Sequence, residues 1–349
     1  MVRLDTGAML EKLKKGTGLP QEEILPVLEC DNKTFITLMK VSWEVSRHFF
    51  GWNLYCSAPD IMAYKVPEFR IATKNIFKPL SVTGSRCALM CDHCEGKILN
   101  HMIPATKPGD LLRESAKLHR KGCRGVLISG GSMKDGSVPL RNFESVIRTI
   151  KSKYGFLVAV HTGLVDREMA TALARAQVDL ALIDVIGDNE TINEIYHLDK
   201  DVKDFEESLK YLKKAGLSIA PHVIVGLHHG RIKGELKSLD MIAKIRPQSV
   251  VIIAFKPIKG TKMDNIAPAK PIQIAKIIVA SRFMMPNVPI ILGCARPTGL
   301  HKIKTDVISI RSGITGIAFP TETGLNYAKS LGLERVYSPL CCAFLIDQY

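Results

Sequence analysis

Two periods of hydrophobic residues alternate along most of the chain, and they predict repeated strand–helix units. From residue 79 onward, short runs rich in Val, Ile and Leu are separated by longer segments whose apolar residues recur at helical spacing. Short continuous apolar runs are typical of parallel strands that are buried on both faces. Eight such units predict an α/β fold in which the sheet forms a (β/α)8 barrel of the TIM type, with an open six-unit partial barrel as the alternative. The strands are expected near 79–84, 125–129, 156–161, 179–185, 218–225, 249–255, 288–293 and 315–319, and the helices near 109–121, 139–152, 167–176, 203–215, 235–245, 271–284, 301–311 and 323–331.

The two ends of the chain do not follow this alternation. Leu10 and Leu13, and later residues from Ile24 to Val45, recur at helical spacing and predict a helical cap over one end of the barrel. Asp31 is a cap-like residue before the second of these runs. The predicted division is an N-terminal helical segment over 1–50, an irregular linker over 51–78, the barrel over 79–332 and a short cysteine-bearing C-terminal tail over 333–349.

Composition narrows the class of protein. The sequence has no signal-peptide pattern and no long apolar run, so we expect a cytoplasmic protein that does not cross a membrane. Nine cysteines in such a protein indicate metal binding before disulfides. The formal charge of +14 predicts an acidic partner. Nucleic acid commonly pairs with such a charge, but no nucleic-acid motif or aromatic-interleaved basic stripe occurs, so an acidic protein is favoured.

The strongest chemical signal is the segment CALMCDHC, which places thiols at Cys87, Cys91 and Cys94 directly after the first barrel strand. Thiolates are soft ligands that favour iron–sulfur clusters, zinc or Cu(I). A structural zinc ion needs a fourth close ligand, and no second pair of ligands follows at the usual spacing. Three cysteines on one short loop instead suit three corners of a [4Fe-4S] cubane with one open iron, although a zinc loop or chance spacing is the alternative.

The CxxxCxxC spacing after a barrel strand resembles that of the radical S-adenosylmethionine superfamily. The resemblance implies that the open iron of a [4Fe-4S] cluster binds S-adenosyl-L-methionine through its amino and carboxylate groups. It also implies that one electron from the cluster cleaves the sulfonium to give a 5′-deoxyadenosyl radical. Members of the superfamily often have an aromatic residue before the last cysteine, where this chain has His93.

Barrel enzymes carry their chemistry at the carboxyl ends of the strands, and several strand ends here resemble cofactor contacts of the superfamily. A serine and two glycines after strand two are similar to the motif that holds the methionine amino group, although an ordinary turn would also explain them. His161 is either a cofactor or substrate contact or a core histidine. Asp184 and Asp188 are candidates for the ribose hydroxyls, with a helix cap as the alternative role for one of them. The predicted cofactor-binding residues are Ser129, Gly130, Gly131, His161, Asp184, Asp188, Val225 and Gly226.

Four further cysteines lie on segments that can converge on the barrel mouth. They are Cys56 in the linker, Cys294 at the seventh strand end, and Cys341 and Cys342 in the tail. We therefore predict that these four thiols hold a second, auxiliary [4Fe-4S] cluster. Consecutive side chains diverge, so in the alternative one of the adjacent pair is structural and Cys30, Ser338 or a substrate completes the site.

One arginine leaves strand seven beside the cysteine of that strand end. Arg296 is predicted as a catalytic residue that holds a carboxylate or contacts the surroundings of the auxiliary cluster, because its guanidinium is a fixed fork of donors.

The later strand ends point to a subgroup. The segment FKPIKGT, from Phe255 to Thr261, resembles the F-x-P-x-x-G-T segment of biotin synthase and its relatives. However, Gly131 and His161 stand where biotin synthase has auxiliary cysteines, and the N-terminal CxxxxCxxxxxC set and C-terminal Arg-Ser-Ser-Tyr of bacterial lipoyl synthase do not occur. Over about residues 50–349, the chain is most similar to a subunit of the archaeal-type two-component lipoyl synthase.

This resemblance implies a sulfurtransferase that inserts sulfur from the auxiliary cluster into an unactivated C–H bond of an octanoyl-lysyl carrier protein. The implied partners are an acidic lipoyl carrier domain or a glycine cleavage H-like protein, a second radical S-adenosylmethionine subunit, and an electron donor such as ferredoxin. Two other classes stay open. One is a single-cluster radical enzyme of cofactor biosynthesis, biotin-synthase-like, a mutase or a methylating enzyme; the other is a non-enzymatic iron–sulfur binding protein.

Overall fold

A computed structural model describes residues 5–69 and 74–344 of the chain. Three helices come first, α1 (Thr6–Lys14), α2 (Gln21–Glu29) and α3 (Asn32–Phe50). The carboxylate of Asp31 accepts the Thr34 N–H at 2.7 Å and begins α3, which ends where Gly51 takes a left-handed conformation with φ 61°. These helices are the predicted N-terminal helical segment, and α2 and α3 pack on the later helix α10 (Pro271–Met284).

Within residues 5–69 and 74–344 the sheet has eleven strands, and neighbouring strands pair in parallel. The strands are β1 (Asn53–Ser57), β2 (Phe77–Ser81), β3 (Ile103–Pro104), β4 (Gly125–Ser129), β5 (Leu157–His161), β6 (Leu180–Asp184), β7 (Ile219–Val225), β8 (Val250–Ala254), β9 (Ile290–Leu292), β10 (Gly316–Ala318) and β11 (Glu334–Ser338). The helices between them are α4 (Pro108–Arg120), α5 (Glu144–Tyr154), α6 (Arg167–Arg175), α7 (Asn189–Tyr196), α8 (Val202–Lys214), α9 (Glu235–Ile245), α10, α11 (Leu300–Arg311) and α12 (Glu322–Ser330).

All eight predicted strands are present, and the α/β barrel prediction is confirmed. β2 and then β4 to β10 are neighbours in chain order, each separated from the next by at least one helix, and they form a curled parallel sheet. The structure adds strands at both edges. β1 lies between β10 and β11, inside the segment that the sequence predicts as irregular, and β11 lies in the predicted tail. A five-residue strand among prolines and turns gives too short a periodic signal to be recognised from sequence.

Two apolar clusters lie on opposite faces of the sheet. The outer cluster contains apolar residues of the helices together with one face of each strand. The inner one, called the lumen cluster, contains strand and loop residues and the end of the tail. Its buried members are Ala58, Phe77, Ala159, Leu180, Leu182, Ala220, Val251, Ile291, Ala318, Phe319, Leu340, Cys342, Ala343 and Phe344.

The end of the tail fills part of the barrel interior. Residues Cys342–Phe344 form a turn of 3-10 helix, and the Phe344 ring packs edge-on against Phe77 with the ring centroids 6.1 Å apart. Phe77 is the first residue of β2, the first of the predicted barrel strands. The tail therefore crosses the lumen from β11, the last strand in the chain, to β2. This path brings the two tail cysteines inside the barrel. Across the described ranges 5–69 and 74–344, none of the helices combines the length and the apolar character needed to cross a membrane.

Candidate active site

The loop that carries the three cysteines of the CxxxCxxC motif follows β2 and is fixed by backbone contacts. The Ala88 N–H donates to Ser132 O at 2.8 Å, and the Asp92 N–H donates to Ile195 O at 2.9 Å. Gly131 makes room for the loop, because a Cβ there would lie 2.1 Å from the Arg86 carbonyl oxygen and 2.6 Å from Cys87 Cα. Its N–H donates to Thr83 Oγ1 at 2.7 Å. Gly131 therefore shapes the cysteine loop from the end of the next barrel strand.

The three thiols of this loop lie within electrostatic reach of one another. Cys91 and Cys94 are buried and Cys87 is half-buried. Burial raises the pKa of Cys91, and the neighbouring thiols of Cys94 and Cys87 raise it further. Burial likewise raises the pKa of Cys94 to about 11, with Cys87 contributing. Three soft donors that disfavour one another's charge fit a group of iron ions, which would offset the negative charge of the thiolates.

Polar atoms without hydrogen-bond partners lie on the loop and near it. In the part of the chain that the structure describes, the His93 Nδ1, the Tyr196 hydroxyl and the His222 Nδ1 are buried and lack a partner. The His93 and Tyr196 rings pack with centroids 5.3 Å apart. Buried polar groups are normally paired, so this region is suited to a ligand that brings donors and acceptors. S-adenosyl-L-methionine, with its ribose, adenine and amino-acid groups, is such a ligand.

The two candidate aspartates at the end of β6 have different environments. Asp188 caps α7, since its carboxylate accepts the N–H of Thr191 at 2.8 Å and its hydroxyl at 2.7 Å. Asp184 lies at the end of β6 with its Oδ1 3.4 Å from His161 Nε2. Burial by itself would raise the pKa of Asp184, but His161, and then the more distant His222 and His93, lower it to about 2. Asp184 is therefore the aspartate left for a ligand, while Asp188 takes the alternative role of a helix cap.

The other strand-end residues lie around the same end of the barrel. Ser129 Oγ donates to the His161 carbonyl oxygen at 3.5 Å. An added Cβ at Gly130 would lie 3.0 Å from Thr83 Oγ1, so this position also favours a small residue. Val225 is fully buried, and Gly226 has a left-handed conformation with φ 76°. Their direct contacts with a cofactor stay predictions.

Three of the four cysteines predicted to hold the auxiliary cluster lie together in the barrel. Cys342 belongs to the lumen cluster, and Cys294 and Cys341 pack against it. Burial, and then the Cys341 thiol, raise the pKa of Cys294 to about 11. Cys341 and Cys342 interact through their side chains, which lowers the pKa of Cys341 and raises that of Cys342, so that the pair favours holding a single proton. The bent backbone of the 3-10 turn lets these neighbours in sequence share one region.

Cys56 lies apart from these three thiols. Side chains alternate across a strand, and in β1 Leu54 and Cys56 face the outer cluster while Tyr55 packs on the lumen cluster. Its thiol is fully buried, and burial raises its pKa. The structure thus brings Cys294, Cys341 and Cys342 together and places Cys56 against the helices. The face of a strand depends on register, which the sequence of the linker did not reveal.

The guanidinium of Arg296 is used within the protein. Its Nε donates to Asp306 at 2.8 Å, and its two terminal nitrogens donate to the Gly293 and Phe319 carbonyl oxygens at 2.6 and 3.2 Å. Both members of the ion pair are fully buried, and the second carboxylate oxygen of Asp306 accepts the Thr321 N–H at 2.7 Å. The carboxylate that Arg296 binds is therefore that of Asp306, within the protein. Arg296 fixes the loops after β9 and β10, and a direct catalytic role for it stays a prediction.

Sequence reasoning missed two residues of this region, His222 and Tyr196. His222 lies inside β7, three residues before its end, and is directly opposite Asp184 in the register of β6 and β7. A histidine within an otherwise apolar strand was the available signal, but His222 does not lie at the strand end, where the sequence predicts site residues. Tyr196 is the last residue of α7, a helix that the sequence analysis did not predict.

A buried glutamate supports the loop after β7, and it makes stability depend on pH. The Glu235 carboxylate accepts the Gly226 N–H at 2.8 Å and the Lys233 N–H at 2.5 Å. Burial raises its pKa from 4.5 to about 7 despite these bonds. The folded protein therefore binds more protons than the unfolded chain between these values. This contribution to stability is fully present below pH 4.5 and is lost as the pH rises through 7.

Replacing Glu235 with glutamine is expected to flatten this dependence. The amide cannot titrate, and it can accept only one of the two N–H bonds, so the variant should also lose about 1–3 kcal/mol of unfolding free energy at pH 5. Urea unfolding of both proteins at pH 5 and pH 8 gives the comparison. An unchanged difference between the two pH values in the variant would show that Glu235 is not the titrating group.

The chain is similar to known proteins, both in its central part and over most of its length. Residues 81–233 match the model of the radical SAM superfamily. The chain is 22% identical over 299 residues to biotin synthase of Geotalea daltonii, covering 84% of each protein, and 21% identical over 335 residues to biotin synthase of Pelobacter propionicus, covering 93% of this chain and 92% of the relative.

Two solved structures share the fold. Methylornithine synthase superposes with a TM-score of 0.65 at 14% identity, covering 94% of this chain and 97% of its own. The [FeFe]-hydrogenase maturase HydG superposes with a TM-score of 0.68 at 14% identity, covering 95% of this chain and 75% of its own.

Fold, cysteine loop and sequence match define one class of protein. Residues 81–233 form a radical S-adenosylmethionine domain, and biotin synthases are relatives of the chain at low identity. The superfamily match implies a [4Fe-4S] cluster and S-adenosyl-L-methionine as cofactors, which the donor set of Cys87, Cys91 and Cys94 fits.

Proposed function

We propose that the protein is a radical S-adenosylmethionine sulfurtransferase, one subunit of a two-component lipoyl synthase. In this role it would insert sulfur into an unactivated C–H bond of an octanoyl-lysyl carrier protein. The observation that carries the proposal is the meeting of Cys294, Cys341 and Cys342 inside the barrel. A second group of thiols in the lumen is what an enzyme needs if its sulfur comes from an auxiliary cluster.

Cys87, Cys91 and Cys94 would hold the first cluster, and Cys294, Cys341 and Cys342 would contribute to the second. When bound, the first cluster supplies the electron that cleaves S-adenosyl-L-methionine, and the second supplies sulfide. The residues of the chain orient the cysteine loop and shield the lumen from water. Gly131 keeps the cysteine loop close to the barrel rim, and Phe344 and its neighbours in the tail fill the lumen. A filled lumen excludes water, which protects a reactive carbon radical from side reactions.

The charge of the chain supports an acidic protein partner. The sequence carries 48 basic and 34 acidic residues, and complementary charge speeds and orients association. Large apolar side chains are exposed on and near the cysteine loop, namely Met90, Ile98 and Met133, at 48, 55 and 47% of their surface. We propose that this side of the molecule receives its partners. They are an acidic lipoyl carrier domain or glycine cleavage H-like protein, a second radical S-adenosylmethionine subunit and an electron donor such as ferredoxin.

Replacing Cys294, Cys341 and Cys342 together with serine is expected to separate sulfur transfer from radical formation. The variant should lose about half of its iron after anaerobic reconstitution, because one of two clusters is no longer held. It should still cleave S-adenosyl-L-methionine, since Cys87, Cys91 and Cys94 are intact. It should form no C–S bond on an octanoyl-lysyl peptide. Iron and sulfide analysis, with mass spectrometry of the peptide, measures each effect.

Cys56→Ser is the matched control. Cys56 faces the helix layer, so its replacement is expected to leave iron content and sulfur transfer unchanged. Loss of iron in this control would return Cys56 to the predicted ligand set. A wild-type chain that binds only four irons, or a triple variant that still makes a C–S bond, would contradict sulfur donation by an auxiliary cluster.

One structural observation favours a second candidate. The thiols that meet in the lumen number three, and the fourth predicted ligand lies elsewhere. A single-cluster radical enzyme of cofactor biosynthesis needs no auxiliary ligands. The iron analysis described above decides between the two, since this candidate would bind four irons and cleave S-adenosyl-L-methionine without transferring sulfur.

A further inference from the structure

A separate group of ligand-type side chains lies in the lumen on three adjacent strands. His161 is at the end of β5, Asp184 at the end of β6 and His222 within β7. One ligand atom from each lies within 4.8 Å of the other two. The register accounts for this, because Asp184 and His222 are paired directly across β6 and β7 and His161 pairs with Leu182, two residues before Asp184 on the same face.

The distance between two of these ligand atoms suits ligands of one metal ion. Ligand atoms about 2.1 Å from a common ion, with angles between 90° and 110°, lie about 3.0–3.4 Å from each other. The His161 Nε2 and Asp184 Oδ1 atoms are 3.4 Å apart, which falls in this range. Both side chains are 28% exposed, so an ion could reach them from the mouth of the barrel.

The surroundings hold the three side chains in place and leave one of them without a partner. Ala159, Leu182 and Ala220 of the same strands are buried members of the lumen cluster and form an apolar floor. The His222 Nδ1 is buried and has no hydrogen-bond partner among the described residues. The His222 ring lies beside a carboxylate and a second imidazole, a setting that is suited to a cation.

We propose that His161, Asp184 and His222 bind one divalent transition-metal ion, separate from the iron–sulfur cluster of the cysteine loop. Two imidazoles and one carboxylate form a set that Fe²⁺, Co²⁺, Mn²⁺ and Zn²⁺ accept, and three protein ligands leave coordination positions free for another molecule. This site goes beyond the proposed sulfur transfer, and it gives His222 a role that the resemblance did not provide.

The metal assignment makes a different claim from the predicted cofactor contact of Asp184 and His161. A contact with the ribose of S-adenosyl-L-methionine requires that molecule and does not involve His222. A metal site requires all three side chains and exists without S-adenosyl-L-methionine. Binding of a metal ion in the absence of the cofactor therefore separates the two.

The test uses Co²⁺ as the probe and the full chain with Cys87, Cys91 and Cys94 replaced by alanine, so that no cluster forms on the loop. Titration with Co²⁺, followed by visible absorption and by calorimetry, should detect one bound Co²⁺ per chain. Its binding should depend on the three side chains. Asp184→Asn, His161→Ala and His222→Ala should each weaken its binding by at least about tenfold, because each removes a ligand. His101→Ala is the control, since His101 is exposed on the 3-10 helix after the cysteine loop and should bind Co²⁺ as the parent does.

Circular dichroism and thermal unfolding check that each variant is folded, and Asp184→Asn, which keeps the shape of the side chain, decides the case if a histidine variant does not fold. Equal Co²⁺ binding by Asp184→Asn and the parent overturns the proposal. So does binding that is lost in Cys341→Ser and Cys342→Ser but kept in the histidine variants, because the thiols would then be the ligands.

This outcome is independent of sulfur transfer. A chain that forms C–S bonds but binds no Co²⁺ through the three residues overturns only the metal site. A chain that binds Co²⁺ through them but forms no C–S bond overturns only the proposed function.

Discussion

Replacing Cys87, Cys91 and Cys94 together with alanine is expected to reduce formation of 5′-deoxyadenosine to the background of a sample without enzyme. The three thiols are the donors that the radical S-adenosylmethionine domain places on its loop, and a metal group is lost with its ligands. The measurement is chromatography of 5′-deoxyadenosine after incubation with S-adenosyl-L-methionine and a strong reductant, alongside iron analysis.

The variant should still fold, because the loop is fixed mainly by its backbone. The hydrogen bonds from the Ala88 and Asp92 N–H groups do not involve the thiols. The thiol contacts of the loop include Cys91 Sγ to the Tyr196 carbonyl oxygen at 3.8 Å and a hydrogen bond between the Gly96 backbone and the Cys94 thiol. Cys30→Ala is a matched control, since that cysteine is half-buried in the helical cap, far in sequence from the loop. Cleavage of S-adenosyl-L-methionine by the triple variant would refute the assignment of the loop.

Replacing Arg296 with methionine is expected to lower the free energy of unfolding by about 3–5 kcal/mol, because the Asp306 carboxylate would stay buried without its cation. Both side chains are fully buried, and Arg296 also donates to two carbonyl oxygens. Arg296→Lys should be destabilising as well, since one ammonium cannot replace the planar fork that reaches Asp306, Gly293 and Phe319. Denaturant unfolding of the purified variants measures the change.

The double variant Arg296→Met, Asp306→Leu is the informative companion. Removing both charges removes the unpaired carboxylate, so the double variant should be more stable than Arg296→Met alone. Cleavage of S-adenosyl-L-methionine per folded molecule should be close to wild type, because Arg296 positions the loops after β9 and β10 and not the loop of Cys87, Cys91 and Cys94. If Arg296→Met unfolds at the wild-type denaturant concentration but loses activity, the arginine acts directly in the reaction and the structural role is wrong.

The sequence by itself determined the repeating architecture and singled out the three cysteines of the first predicted site. Apolar runs of strand length, separated by amphipathic segments, placed eight strands and their helices within a few residues of their observed bounds, from β2 to β10. Local periodicity is sufficient to locate these elements, because the buried face or faces of a helix or strand determine which neighbouring residues are apolar. The CxxxCxxC spacing was sufficient for the same reason, since three ligands on one loop are close in space wherever the loop lies.

Contacts between distant segments were decided only by the tertiary structure. Pairing of β1 between β10 and β11 set which way Cys56 faces, and the path of the tail through the lumen brought Cys341 and Cys342 to Cys294. A strand's face depends on its register with partners far away in sequence, and a one-residue shift reverses it.

The same holds for the polar residues of the site. From sequence, Asp184 and Asp188 were equivalent candidates, and Arg296 was a free cation beside a cysteine. In the folded protein Asp188 caps the first turn of α7 and Arg296 pairs with Asp306. Asp184 faces two histidines from neighbouring strands. Whether a charged side chain caps a helix, pairs in the interior or stays available for a ligand depends on which groups three-dimensional packing brings within hydrogen-bond distance, and spacing along the chain does not encode that.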